Sequence, residues 1–234
     1  MPSSYITENT MLLEQVAEAF GDLLGQVVFL GGITTALLVD PAAMGSTRKT
    51  EDVDVIVDLV SRPEYYEFSE KLREKGFRED QSDGAPICRW IVENKGIDYI
   101  VDVMPCDESI LGFTNRWYAD AINGANSVTL GNGITISVVT PVYFLATKFE
   151  AFHNRSAGNY YSADMEDIVF LLEHRSGILI EVMNGLEKVK AYLVNEASDL
   201  LNSDFLNILP GLVDDPGSAG VVTRQLELIS KLEF

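Results

Sequence analysis

Short apolar runs and helical stretches alternate along the first 139 residues. Apolar runs of four to eight residues between turn residues are typical of buried strands, and apolar spacings of three and four are typical of helices. Two helices are predicted at about 10–24 and 63–75. Two more are predicted, one directly after the first strand and one shortly beyond Asn115. The predicted strands are 26–30, 52–59, 87–94, 97–104, 127–130 and 134–139. The alternation predicts an α/β core over residues 1–139.

Helical periodicity dominates from Thr140 to the end of the chain. Thr140 suits a helix N-cap, and Pro141 suits the first helical turn. The predicted helices begin at Pro141 and continue at about 162–175, 178–197, 199–208 and 219–232. We therefore expect a helical C-terminal lobe over residues 140–234.

The chain carries 36 acidic and 17 basic residues, which is a formal net charge of −19. A broad nucleic-acid-binding surface needs a basic footprint, so the composition argues against one. It permits a cationic or neutral partner, and it also serves solubility. Two cysteines make neither a disulfide framework nor a four-ligand zinc site. No signal-peptide or membrane-spanning pattern is visible, so the expected location is the cytoplasm.

Aspartates interrupt the most strand-like segment, "DVDVIVDL". Asp52 and Asp54 are two residues apart and therefore point to one face of the strand. Asp58 shares that parity but lies roughly 13 Å beyond Asp54 at the rise of a strand. In a later strand, Asp98 and Asp102 also share a face, and Asp102 stands among apolar residues. If the two strands are neighbours, Asp102 would join Asp52 and Asp54.

Three converging carboxylates repel one another unless cations lie between them. Carboxylate oxygens suit Mg²⁺, and two such ions can clamp the attacking and leaving oxygens at a phosphorus centre. We therefore expect Asp52, Asp54 and Asp102 to be catalytic metal ligands for two Mg²⁺ ions, with Mn²⁺ as the alternative. The competing interpretation is that Asp52 caps the strand and Asp54 pairs with a basic residue such as Arg48. A DxD motif alone does not separate the two.

The segment "VVFLGGIT" adds a strand followed by two glycines and a predicted helix. At Gly31 and Gly32 the backbone can approach a ligand closely, and a helix N-terminus offers free N–H groups to phosphate. The hydroxyls of Thr34 and Thr35 would add contacts. The segment is neither a Walker loop nor a dinucleotide fingerprint, so a simple turn is the alternative.

In combination, these segments resemble the DNA polymerase β-type nucleotidyltransferase superfamily. The shared pattern is strand, Gly-Gly, helix, then "RKTEDVDV", then "YIVDVMP" with the third acidic residue. The later segments "TPVYFLATKFEAFHNR" and "SADMEDIVFLL" resemble helices of AbiEii/MenA-like and related small bacterial nucleotidyltransferases. The resemblance covers residues 25–172 and implies an α/β (α+β) fold with a mixed sheet flanked by helices.

The resemblance also implies roles for individual residues of the core. Gly31 and Gly32 would hold the triphosphate of an NTP. Asp52 and Asp54 would bind both metal ions. Asp102 would bind the catalytic metal and help to activate the acceptor hydroxyl.

Three residues of the C-terminal lobe, Lys148, Asp164 and Asp167, match the family's later pattern, and helical spacing adds Arg155. Lys148 would contact phosphate, and Arg155 lies seven residues further on the same helix face. Asp164 and Asp167 match the later acidic pair. The alternative is that these residues only form ion pairs between helices.

The implied activity moves a nucleoside monophosphate from an NTP, such as ATP, to an acceptor hydroxyl and releases pyrophosphate. The acidic composition slightly favours a small cationic acceptor over RNA. Ile33 stands where the family usually carries Ser or Thr, which motivates an alternative: a degenerate member that binds nucleotide or a partner protein without catalysis. A glycosyltransferase that uses the DxD motif is a third possibility, but the two glycines and Asp102 argue against it.

Overall fold

A computed structural model describes residues 8–213 and 215–233, and the chain falls into two units. The first unit comprises the chain up to residue 37 together with 44–140. The second comprises residues 38–43 and the chain from 141 onward.

Seven strands in the described part of the first unit form one mixed sheet. The strands are β1 (Val27–Leu30), β2 (Asp52–Val57), β3 (Phe77–Glu79), β4 (Arg89–Asn94), β5 (Ile97–Pro105), β6 (Asn126–Thr129) and β7 (Thr135–Val138). Their order across the sheet is β3-β4-β5-β2-β1-β7-β6. The β2–β5 and β1–β7 pairs are parallel, and the other pairs are antiparallel. The predicted α/β fold with a mixed sheet flanked by helices is confirmed.

Among the described residues, five short or medium helices precede residue 141. They are α1 (Glu8–Phe20), α2 (Thr35–Leu38), α3 (Arg62–Glu74), α4 (Glu108–Leu111) and α5 (Tyr118–Asn123). Helix α1 ends earlier than predicted because Gly21 has a φ of 55°, and a 3₁₀ segment follows it to Gln26. At α3, the Ser61 hydroxyl accepts the Glu64 N–H, and Pro63 lies in the first turn. These two features explain why the helix begins close to its predicted start.

The core of the first unit lies between α1 and the sheet. The fully buried residues of α1 lie on one stripe of the helix: Leu13, Val16, Ala17 and Phe20. The rings of Phe20 and Phe29 meet edge to face with centroids 6.0 Å apart. In β2, Val53 and Val55 are fully buried on one face. Because side chains alternate along a strand, the opposite face of β2 carries Asp52 and Asp54.

Helices make up the second unit from residue 141 onward. They are α6 (Pro141–Asn154), α7 (Ala163–His174), α8 (Ile178–Met183), α9 (Glu187–Leu201), α10 (Phe205–Ile208) and α11 (Ala219–Ile229). The helix predicted over 178–197 is wrong in two respects. It is interrupted near Gly185, and its second part continues to Leu201 because buried Leu200 extends the apolar face. Among the described residues, no helix has the length and apolar character needed to cross a membrane.

Candidate active site

Asp54 and Asp102 stand directly opposite each other on parallel neighbouring strands. The register of β2 and β5 pairs Asp54 with Asp102 and Val53 with Val101. Partners in a register point to the same face of a sheet, and neighbouring strands lie about 4.8 Å apart. Asp52 lies two residues before Asp54 on that face, opposite Ile100. The structure therefore brings the three predicted carboxylates to one region of one face.

The two other aspartates of these segments lie elsewhere. Asp98 is opposite Glu93 at the start of β5 and forms an ion pair with Arg78 at 2.6 Å. Asp58 follows the last residue of β2 and is exposed. Neither residue belongs to the carboxylate cluster of Asp52, Asp54 and Asp102.

The turn after β1 packs directly against Asp54. Leu30 is the antiparallel partner of Asp54, so Gly31 follows beside that carboxylate. Gly31 has φ 77° and ψ −173°, a region essentially restricted to glycine. A Cβ atom built on Gly31 would lie 1.9 Å from Asp54 Oδ2. Both the backbone conformation and the lack of room for a Cβ atom require glycine at position 31.

Gly32 also has little room for a side chain. A Cβ atom on this residue would lie 2.5 Å from Arg48 Nη2 and 2.8 Å from Thr50 Cγ2. The guanidinium of Arg48 therefore lies against the Gly31–Gly32 turn. A cation at this place adds positive charge where the sequence predicts triphosphate.

Hydroxyl groups surround the same turn. Thr34 is fully buried, and its Oγ1 donates to Gly31 O at 2.9 Å, so its hydroxyl holds the turn closed. The buried Thr35 and Thr50 hydroxyl oxygens have no hydrogen-bond partner within 8–213 and 215–233. Ile33 is 1% exposed and belongs to the core. Ile33 therefore supplies an apolar core contact and no hydroxyl group at this position.

Asn9 anchors the loop that carries Arg48, and sequence reasoning missed it. Its Nδ2 donates to Arg48 O at 2.7 Å, and its Oδ1 accepts the Thr50 N–H at 3.1 Å. Asn9 is 3% exposed. The available signal was its position: Asn9 lies on the same helical stripe as Leu13 and Phe20, where a polar residue needs buried partners.

Arg89 was also missed, and it binds two of the three carboxylates. It lies on β4 directly opposite Asp102. Its Nε donates to Asp102 Oδ1 at 2.9 Å and its Nη2 to Asp102 Oδ2 at 2.8 Å, a bidentate pair. The same Nη2 reaches Asp52 Oδ2 at 3.3 Å. Sequence parity alone could not show this contact, because the register of β4 against β5 decides it.

Cys88 lies beside this cluster but is not an activated thiol. Burial raises the pKa of the Cys88 thiol to about 12, and the negative charges of Asp102 and Asp54 add to the effect. The thiol is therefore protonated near neutral pH, and thiolate chemistry is not available here.

The donor chemistry of the cluster suits a hard divalent cation, because it consists of carboxylate oxygens. Within the described residues, however, no group of three or more His, Cys, Asp or Glu side chains surrounds a common metal position. Arg89 lies 2.8 Å from Asp102 and 3.3 Å from Asp52, so two of the three carboxylates face its guanidinium. The residues that would hold a cation are Asp54 and Asp102, supported by Asp52.

The second unit contains a separate buried ion-pair network between α6 and α7. Lys148 Nζ lies 2.7 Å from Asp167 Oδ2 and 3.3 Å from Asp164 Oδ1. Arg155 binds both oxygens of Asp164 at 2.9 and 2.5 Å, and the Ser156 hydroxyl donates to Asp164 at 3.0 Å. The four predicted residues of the C-terminal lobe thus meet one another, and their contact with nucleotide stays a prediction.

The cationic partners in this network lower the pKa of Asp164. Burial alone would raise the pKa of Asp164, but hydrogen bonds from Arg155 and the charges of Lys148 and Arg155 lower it to about 2. Asp164 is therefore ionised at neutral pH and holds its two cationic partners in place.

No family model and no curated protein matches the chain. Among solved structures, the chain is similar to an antigenic nucleotidyltransferase-like protein from Paracoccidioides brasiliensis, at 19% identity and a TM-score of 0.50. That similarity covers 83% of this chain and 91% of the other. The protein JHP933 from Helicobacter pylori matches at 15% identity and a TM-score of 0.49, over 97% of this chain and 94% of the other. The comparison with the Paracoccidioides protein shows that this chain has a nucleotidyltransferase-like fold.

Proposed function

We propose that this chain is a metal-dependent nucleotidyltransferase that moves a nucleoside monophosphate from an NTP to an acceptor hydroxyl. The observation that carries the proposal is the in-register pair Asp54 and Asp102 packed against the Gly31 turn. This arrangement places carboxylate oxygens beside a backbone turn that lacks side chains. A carboxylate pair beside a glycine turn suits a triphosphate accompanied by divalent cations.

The proposed roles follow from the positions of the residues. Asp54 and Asp102, with Asp52, would hold two Mg²⁺ or Mn²⁺ ions, which neutralise phosphate charge and polarise the phosphorus centre when bound. The Gly31–Gly32 turn and Arg48 would orient the triphosphate. Asp102 would accept the proton of the attacking hydroxyl. The acceptor oxygen bonds to the α-phosphorus, the bond from that phosphorus to the bridging oxygen breaks, and pyrophosphate leaves.

The acceptor class is the part of the proposal that rests on charge. A net charge of −19 repels a polyanion and favours a small cationic acceptor over RNA. A steep dependence of RNA binding on salt concentration would contradict this preference.

We also propose that the chain is similar in function to the AbiEii/MenA-like subgroup, on the basis of residues in the second unit. Lys148 and Arg155 would contact phosphate, with Asp164 and Asp167 as the later acidic pair. Lys148 is only 5% exposed and lies between Asp164 and Asp167. A phosphate contact therefore requires Lys148 to exchange one carboxylate partner for the ligand.

A second candidate function is nucleotide binding without catalysis. The bidentate contact of Arg89 with Asp102 favours it, because a guanidinium already neutralises the predicted third metal ligand. Calorimetry that detects ATP and Mg²⁺ binding, together with an absence of pyrophosphate release, would support this candidate.

The test of the main proposal is NTP-dependent pyrophosphate release with Mg²⁺ or Mn²⁺ across candidate acceptors. Asp54→Asn should abolish release, because it removes a proposed ligand without changing side-chain size. Asp98→Asn is the matched control, because Asp98 lies on β5 and pairs with Arg78 outside the cluster. Turnover that is equal in the wild type and Asp54→Asn would overturn the assignment.

A further inference from the structure

We propose that Arg89 is a positioning residue that occupies the cation position of the carboxylate cluster and sets its affinity for divalent metal. This inference rests on the metal site of the proposed function. In the structure, the guanidinium bridges Asp102 and Asp52 from the neighbouring strand. A metal ion that binds Asp102 must therefore displace Arg89 or share the carboxylate with it.

The geometry makes this competition direct. Arg89 engages both oxygens of Asp102, at 2.9 and 2.8 Å, so a metal ion at either oxygen must share it with a charge-assisted hydrogen bond or displace that bond. The contact with Asp52 is longer, at 3.3 Å. The three aspartates carry three negative charges, and Arg89 supplies one positive charge. The guanidinium thus relieves part of the repulsion that would otherwise accompany the metal-free cluster.

Arg89 has another acidic neighbour to which it can turn. The Asp80 N–H donates to Arg89 O at 3.0 Å. Hydrogen bonds from Ser82 lower the pKa of Asp80, and the charge of Arg89 adds to this effect. The Arg89 side chain is 22% exposed and already acts on the charge of Asp80, so both solvent and Asp80 are within its reach. A metal ion can therefore take Asp102 while Arg89 moves toward Asp80 and solvent.

The experiment titrates the full chain with Mn²⁺ and measures free Mn²⁺ by its electron paramagnetic resonance signal, without nucleotide or acceptor. Arg89→Met should bind Mn²⁺ about tenfold more tightly than the wild type, since one bidentate competitor is lost. Arg78→Met is the matched control, because it removes the same charge from an ion pair with Asp98 on β5. Its affinity should stay within about twofold of the wild type.

Unchanged or weaker Mn²⁺ binding by Arg89→Met would overturn the inference, as would an equal gain in Arg78→Met. Arg89→Lys separates competition from simple charge, because it keeps the positive charge but cannot bind both oxygens in a planar fork. It should bind Mn²⁺ with an affinity between those of the wild type and Arg89→Met. If Arg89→Met does not fold, Arg89→Lys alone decides, and binding no tighter than the wild type overturns the inference.

Thermal unfolding gives an independent readout. In EDTA, Arg89→Met should unfold at a lower temperature than the wild type because the carboxylates repel one another. Added Mn²⁺ should raise its unfolding temperature by more than it raises that of the wild type. An equal rise in both proteins would contradict competition at Asp102.

The two proposals fail in different ways. Tighter Mn²⁺ binding by Arg89→Met without NTP turnover in any variant would support the role of Arg89 and contradict the transferase. Turnover that depends on Asp54, with no gain in Mn²⁺ affinity in Arg89→Met, would support the transferase and contradict the proposed role of Arg89.

Discussion

Asp54 Oδ2 occupies the space that a side chain at Gly31 would need, with a Cβ-to-oxygen distance of 1.9 Å. A side chain at position 31 would therefore displace the Asp54 carboxylate. The predicted phosphate-binding turn and the predicted metal ligand are joined at this contact.

Gly31→Ala should destabilise the fold and disrupt the carboxylate cluster. The backbone conformation excludes other residues, and the new methyl group would collide with Asp54, so we expect a loss of at least about 3 kcal/mol in unfolding free energy. Gly84→Ala is the control, because Gly84 also has a positive φ, of 82°, but nothing lies within 4 Å of its Cβ position. Urea denaturation should show a loss of about 1–2 kcal/mol for the control. Equal losses in the two variants would contradict close packing at Gly31.

Asn9→Ala should loosen the loop that carries Arg48. Two buried hydrogen bonds, to Arg48 O and from the Thr50 N–H, are lost, and we expect about 2 kcal/mol of destabilisation. Hydrogen exchange of the Thr50 amide should accelerate with it. The exposed residue Asn126 provides the control, since its replacement by Ala should change stability by no more than about 0.5 kcal/mol. Unaltered Thr50 exchange in Asn9→Ala would contradict the anchoring role.

Lys148→Met tests whether the buried lysine stabilises the second unit. Its removal takes away a positive charge that neutralises the buried carboxylates of Asp164 and Asp167, so the unfolding free energy should fall by about 3–5 kcal/mol. The exposed pair of Lys71 and Glu67 serves for comparison, and Lys71→Met should cost less than about 1 kcal/mol. A stable Lys148→Met protein with an increased KM for NTP would instead assign Lys148 to phosphate alone.

Asp164 should make stability fall in acid. Its folded-state pKa of about 2 lies below the ordinary value of 3.8, so its contribution is fully present above about pH 4. That contribution is lost as the pH falls toward 2, and the shift corresponds to about 2 kcal/mol. Urea unfolding measures the free energy that each protein loses between pH 5 and pH 2. This loss should be smaller in Asp164→Asn than in the wild type, by about 2 kcal/mol. Identical pH dependence would mean that Asp164 is not perturbed.

Side-chain parity and turn chemistry predicted much of the core. Alternation along β2 placed Asp52 and Asp54 on one face opposite buried Val53, and the two glycines marked a turn after β1. Such features depend on local geometry, which a single sequence expresses directly.

Contacts between distant segments were not predictable in the same way. Arg89 meets Asp102 only because β4 and β5 pair in one register, and a shift by one residue would turn Arg89 to the other face. Asn9 needed partners that lie about forty positions later in the sequence. In the second unit, the apolar periodicity continued across the interruption near Gly185, so the helix over 178–197 was predicted as one element.

The most direct test of the central claim is a crystal structure with Mn²⁺ and a non-hydrolysable NTP, measured at a wavelength where manganese scatters anomalously. We expect anomalous density in contact with Asp54 and Asp102, the triphosphate against the Gly31–Gly32 turn, and the Arg89 guanidinium displaced from Asp102. Nucleotide and Mn²⁺ bound elsewhere, with Arg89 still paired to both oxygens of Asp102, would contradict it.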